Sequence, residues 1–203
     1  MNEPDGLQPP AQPVRADARR NVDALLQAAL EVFQEHGVEA PVRDIARRAG
    51  VGVGTLYRHF PHRSDLIVAI VRKEVDACAD LAPVLAARET PFEALAAWLQ
   101  RLVDMMATKR GLAAVLHSGE SAYQALPDYF HARLTPAMHL LLAAAAAARA
   151  IRGGVDAGEL LMACMRLAAP AADGDLAQAR RMVALLADGL RYQGDPQAGG
   201  ARA

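Results

Sequence analysis

An all-α fold is what this 203-residue sequence predicts, and three observations predict it. Hydrophobic residues make up 53% of the chain, aromatics only 4%, and alanine is abundant, a composition that favours helices over strands. Apolar side chains recur at three- and four-residue spacing along most of the sequence. Nowhere do polar and apolar residues alternate long enough to make a strand.

Residues 1–14 hold four Pro and no apolar period, and are expected to be a disordered tail. Arg15, Arg19 and Arg20 follow as a basic arm. The first helix is expected from Asn21 to His36, with Leu25, Ala29, Val32 and Phe33 as its inward stripe and Gly37 as its end. A second helix, about 41–49, takes its apolar face from Ile45, Ala46, Ala49 and Val51, and Pro41 is tolerated at its first position. Gly50 follows where that helix must stop, because a left-handed C-terminal residue is least costly as glycine. A third helix, about 54–60, turns Leu56 and Phe60 inward and leaves Val53, Thr55, Tyr57, Arg58 and His59 largely outward. Methyl, hydroxyl and cationic groups side by side suit an element lying on phosphates and base edges. An ordinary helical corner with a solvated basic side is the alternative.

Pro61 breaks the chain, and a fourth helix is expected from near Arg63 to about Leu81. Ser64 or His62 caps it, with Asp65 in the first turn, where negative charge suits the helix dipole. Thr90-Pro91 starts a fifth helix reaching about Lys109, striped by Phe92, Leu95, Trp98, Leu99, Leu102, Met105 and Met106. Gly111 opens a short helix ending near Ser118-Gly119. A long Ala-rich element runs from about Ala122 to Ile151, kinked or interrupted at Thr135-Pro136 and stopped by Gly153-Gly154. Asp156 caps a helix to about Ala168, and Asp173 or Asp175 begins a last one reaching Tyr192. The Gly-rich residues 193–203 are expected to be a second disordered tail.

Three segments within this helical order carry a strong resemblance: ALLQAALEVFQEHG, RDIARRAGV and GTLYRHFPHRSDL, at their observed spacing. From Asn21 to about Ile70 the chain resembles the N-terminal DNA-binding domain of TetR-family transcriptional regulators. It departs from the family pattern at Ala40-Pro41, where Ser or Thr often caps the second helix, and at Gly52 and Val53, where Ser and Lys are frequent. Those departures bear on DNA sequence preference and leave the fold intact. The segment ATKRGLA and its setting are similar to the SbtR-like subgroup. The resemblance implies a helix-turn-helix domain at 15–61, a helical ligand-binding and dimerisation domain at 62–192, a palindromic double-stranded operator, and a small-molecule effector.

The expected DNA contacts are Tyr57 and His59 on phosphates, Thr55 near the groove edge, Val53 on a thymine methyl, and Arg58 on a guanine or a phosphate. Arg43 and Gly54 belong to the same expected surface, and Arg63 stands where the family has a phosphate-binding Lys. Arg15, Arg19 and Arg20 are expected in the adjacent minor groove. Residues 15–63 hold eight Arg against six acids in a chain of net charge −1, a modest bias that fits a few placed contacts and argues against a general polyanion binder.

The last two helices are strongly apolar. They either close the chain's own core as a hairpin or meet the same pair from a second chain in a four-helix bundle. The resemblance favours the homodimer, with Leu161, Met165, Met182, Leu186 and Leu190 at its interface. A ligand pocket is expected from Trp98, Leu102, Met105, Met106, His117, Tyr123, Tyr129 and Met138, apolar walls with a few polar groups. An all-helical enzyme or small-molecule carrier would use the same pocket, and a scaffold binding only protein is a third reading. No enzyme signature is present, and neither a cofactor nor a metal is expected. Cys78 and Cys164, each alone on an apolar segment, read as buried small hydrophobes. The longest uncharged run, between Arg133 and Arg149, has 15 residues, short of the roughly 20 that span a bilayer. With acids where a signal peptide needs positive charge, a cytoplasmic protein is expected.

Overall fold

A computed structural model describes residues 12–108, 112, 116, 118–168 and 175–191, for residues 12–20 and 108 the backbone alone. The described residues form α1 (Gln12–His36), α2 (Val42–Arg48), α3 (Val53–His59), α4 (Arg63–Arg88) and α5 (Pro91–Thr108). A 3-10 turn (Ser121–Tyr123) then precedes α6 (Leu126–Ala147), α7 (Ala157–Ala168) and α8 (Leu176–Leu190). No strand occurs among them.

The chain divides into two compact units, Met1–Ile70 and Val71–Ala203, and the division falls inside α4. The first turns of α4 belong with the first unit because Arg63 donates to the carbonyl of Val38 and lies over the Phe33 ring. In that unit Leu25, Phe33, Ile45, Leu56, Leu66 and Ile67 are almost wholly buried, and α2 packs against both α1 and α3. In the second unit α5 is the central element, packed against α6, α7 and α8. Its stripe of Leu95, Trp98, Leu99, Leu102 and Met105 is fully buried.

Several boundaries differ from the sequence-based expectation, each for a local reason. α1 begins at Gln12, so Arg15, Arg19 and Arg20 lie on helical backbone, with Pro13 tolerated in the first turn. Pro41 is the residue before α2, not its first, and its extended backbone (φ −61°, ψ 133°) turns the chain into the helix. α4 continues past Leu81 through Pro83 to Arg88, because Pro83 is exposed while Cys78, Ala79 and Ala82 keep the other face buried. α6 likewise runs through the exposed Pro136 without a break. It stops at Ala147, well before the Gly153-Gly154 pair, because Arg149 adopts φ +56° and lets the next amides turn back onto the last carbonyls. The short helix expected from Gly111 and the turn between the last two helices lie largely outside the described residues.

The capping expectations fare better. Asp156 accepts from the Glu159 N–H and Asp175 from the Ala177 N–H, both at 2.8 Å. At α4 the cap is reciprocal to the one expected, since the Asp65 carboxylate accepts the His62 N–H at 2.9 Å. Both cysteines are buried and free, and burial pushes the Cys164 thiol up to about 11. No helix among the described residues is long and apolar enough to cross a membrane.

Candidate nucleic-acid interface

The turn between α2 and α3 is built on glycine. Gly50 adopts φ +69°, which releases the chain from α2 while the Val51 N–H returns to the Ala46 carbonyl at 3.0 Å. Gly52 then takes extended backbone and its carbonyl receives the Thr55 N–H at 2.9 Å, starting α3 at the next residue. Leu56 and Phe60 anchor α3 to the unit's core, at 2% and 9% exposure. That anchoring fixes which face looks outward.

The outward face holds Val53 at 39% exposure and Tyr57 at 50%, with Gly54, Arg58 and His59 also exposed. Thr55 is half-buried, at the edge of this surface rather than on it. Arg43, at the start of α2, is exposed. Among the described residues no hydrogen bond or ion pair ties down the side chains of Arg43, Tyr57 or Arg58. Gly54 needs no glycine for the fold itself: a Cβ there would meet nothing within 4 Å.

Other cations of this unit are engaged internally. Arg48 grips the Glu35 carboxylate through two bonds, 2.7 and 2.6 Å. The Arg48 hydrogen bond holds the Glu35 carboxyl below its ordinary range. Arg47 pairs with Asp44 at 3.1 Å. Fewer cations of this unit are free than its eight arginines suggest. Arg63 is half-buried, bonded to Val38 and placed over Phe33, so the free protein uses it to fix the start of α4. The Arg15, Arg19 and Arg20 side chains lie outside the described residues.

In the second unit, Trp98, Leu102, Met105 and Met138 are completely buried and Tyr123 nearly so, on elements that include the packed pair α5 and α6. The Trp98 indole N–H donates to the Cys78 carbonyl at 2.8 Å, which locks it into the core. Met106 is half-buried, and His117 lies outside the described residues. Tyr129 faces α4: its hydroxyl donates to Asp76 at 2.7 Å, and the Arg72 guanidinium sits 5.0 Å from its ring centre. Arg133 joins them, donating to Asp76 at 2.6 Å and Asp80 at 2.7 Å. This α4–α6 clasp was invisible in the sequence because its members are more than 50 residues apart.

The expected dimer residues divide in two. Leu161 and Leu190, at 0% and 2% exposure, belong to the chain's own core and are not available to a partner. Met165 and Leu186 are half-buried, while Met182 at 39%, Leu167 at 41% and Leu185 at 65% form the apolar surface of α7 and α8. Leu167 and Leu185 belong to the apolar residues expected on these two helices but were not among the five expected at the interface. Taking every fourth residue as inward would have placed them outside.

Comparison with known proteins agrees with this architecture. Residues 25–70 match the bacterial regulatory proteins of the tetR family, and residues 90–192 match the C-terminal domain of SbtR-like transcriptional regulators. HTH-type transcriptional regulators of Staphylococcus aureus are 39% identical over 64 residues, 31% of this chain. The match spans about a third, 35%, of those relatives' length. A TetR transcriptional regulator from Streptomyces coelicolor is 40% identical, with 85% of this chain and 99% of the other covered at a TM-score of 0.71. A TetR transcription regulatory protein from Mycobacterium vanbaalenii is 36% identical, with 89% and 100% covered and the same TM-score of 0.71. These relatives are regulators rather than enzymes. The chain belongs to the TetR family of helix-turn-helix transcriptional regulators.

Proposed function

We propose that this protein is a repressor that reads a palindromic operator as a homodimer and is released by a small apolar or aromatic ligand. The observation that carries the DNA reading is the outward face of α3, where exposed Tyr57, Arg58 and His59 sit beside Val53 while the inward residues are fixed. Tyr57 and His59 take phosphates, Val53 a thymine methyl and Arg58 a guanine or a phosphate. Gly54 supports close approach, since the fold leaves open space where its Cβ would be. Arg43 adds a phosphate contact from α2, and Arg15, Arg19 and Arg20 the minor-groove contacts.

Dimerisation is supported by the exposed Leu167, Met182 and Leu185, an apolar surface on two adjacent helices. The effector is assigned to the region of Trp98, Leu102, Met105, Met106, His117, Tyr123 and Met138. α4 spans the division between the two compact units, and the reading has the effector act through this helix. Linkage makes this reciprocal: a ligand that weakens DNA binding tenfold binds the DNA complex about 1.4 kcal/mol less well.

The test begins with operator fragments selected from host genomic DNA and followed by fluorescence anisotropy at several salt concentrations. Tyr57→Ala with His59→Ala should weaken binding about a hundredfold on all sequences alike, two contacts at about 1.4 kcal/mol each. Unchanged affinity would overturn the assignment. Leu185→Glu should convert a dimer into monomers by light scattering, because a charge in a desolvated bundle is costly. A wild-type chain already monomeric at micromolar concentration sinks the dimer.

A further inference from the structure

The segment after α6 folds back over one face of that helix. His139, Leu142, Ala143 and Ala146, at i, i+3, i+4 and i+7 along α6, meet Arg152 and Val155 around an open cleft of about 120 Å³. This is well below the roughly 300 Å³ of the smallest drug-sized sites. Its occupant is therefore small.

The chemistry of the lining is one-sided. Its apolar wall comes from Leu142, Ala146 and Val155, and its polar side chains are the Arg152 guanidinium and the His139 imidazole. Both are exposed, neither side chain has a hydrogen bond or ion pair among the described residues, and no carboxylate lines the cleft. Three of the last four carbonyls of α6, which would otherwise present bare acceptors to an anion, receive backbone N–H groups. Ala144 receives the Ala148 N–H at 3.1 Å, Ala145 the Ala150 N–H at 2.9 Å, and Ala146 the Arg149 N–H at 2.9 Å. The covering segment is itself held, since the Arg152 N–H donates to the Leu190 carbonyl at 2.9 Å at the end of α8. An unpaired cation beside a fixed apolar wall, with no competing acid, selects an anion that carries a small apolar body.

We propose that this cleft is a second small-molecule site, separate from the effector region around α5, for a carboxylate whose body is a single ring or a short branched chain. Arg152 holds the carboxylate, His139 flanks it, and Leu142, Ala146 and Val155 contact the body. The site does not depend on the regulator reading, because binding is measured without DNA.

The test is a titration of the full chain with benzoate, benzyl alcohol and inorganic phosphate, read from backbone amide resonances. Benzoate should shift the Gly154 and Val155 amides saturably at millimolar concentration, and the other two should not. Arg152→Gln should weaken benzoate about tenfold through loss of the charged hydrogen bond. Ala143→Leu, which fills the cleft from an exposed position, should abolish binding while amides elsewhere keep their positions. Absence of benzoate binding overturns the proposal. So does phosphate binding equally well, which reduces the site to an anion patch, or benzyl alcohol binding equally well, which removes the role of Arg152. Wild-type affinity in both variants places the ligand elsewhere and overturns it too.

Discussion

Two tyrosines bring out the contrast between the α3 surface and the α4–α6 clasp. Tyr57 stands on α3, 50% exposed, with no partner for its hydroxyl among the described residues. Tyr129 on α6 is half-buried, donates to Asp76 at 2.7 Å, and has Arg72 over its ring. Either side chain suits a binding surface, and sequence spacing gives no reason to separate them. The hydrogen bonds do. A hydroxyl already satisfied inside the chain must exchange one bond for another to meet a ligand, with little net gain. A solvated hydroxyl on a face fixed by Leu56 and Phe60 exchanges only water. Polar groups that hold the fold together are paired within it, whereas Tyr57 and Arg58 on the outward face of α3 have no partner among the described residues.

The largest expected effect comes from the core of the second unit. Trp98→Ala removes a fully buried ring and its bond to the Cys78 carbonyl, and should cost about 3–5 kcal/mol in urea unfolding. Tyr57→Ala should stay within about 0.5 kcal/mol, as surface changes do. A cost below about 1 kcal/mol at Trp98 would break the contrast. The indole would then border a cavity that tolerates its loss, which is what a ready-made effector site requires.

The fold was legible where sequence and backbone are coupled locally. Gly37 and Gly50 end α1 and α2 with φ of +78° and +69°, and Asp156 and Asp175 cap α7 and α8. The α3 face was legible for the same reason, since Leu56 and Phe60 are one turn apart and determine the opposite side. What escaped were features made by distant residues. The end of α6 depends on Arg149 taking a left-handed conformation, which no glycine signalled. The clasp needs Asp76 and Asp80 to meet Arg133 across two helices. Leu161 and Leu190 looked like interface until burial placed them in the chain's own core.

The clasp itself is the next target. Asp76→Ala removes the acceptor for both Tyr129 and Arg133, and should cost about 1–2 kcal/mol, toward the low end because both Asp76 and Arg133 are 39% exposed. A double-mutant cycle with Tyr129→Phe should show a coupling of about 0.5–1 kcal/mol. Strict additivity would mean that the hydroxyl and the carboxylate act independently, and the two tyrosines would then differ only in exposure.

The smallest effect is also the most diagnostic of pairing. Burial raises the Tyr129 phenol above its ordinary value of 10.0, with the hydrogen bond to Asp76 and its negative charge adding to the shift and Arg133 and Arg72 opposing it. The folded chain therefore holds this proton more firmly than the unfolded chain does. Its contribution is fully present below pH 10 and is lost as pH rises through the higher folded value. Between about pH 9 and 11, wild-type stability should fall more steeply than that of Tyr129→Phe, which has no proton to lose. The gap between the two curves should close as pH rises. Parallel curves across that range would mean that neither burial nor Asp76 raises the phenol in solution, and Tyr129 would return to the set of side chains available to a ligand.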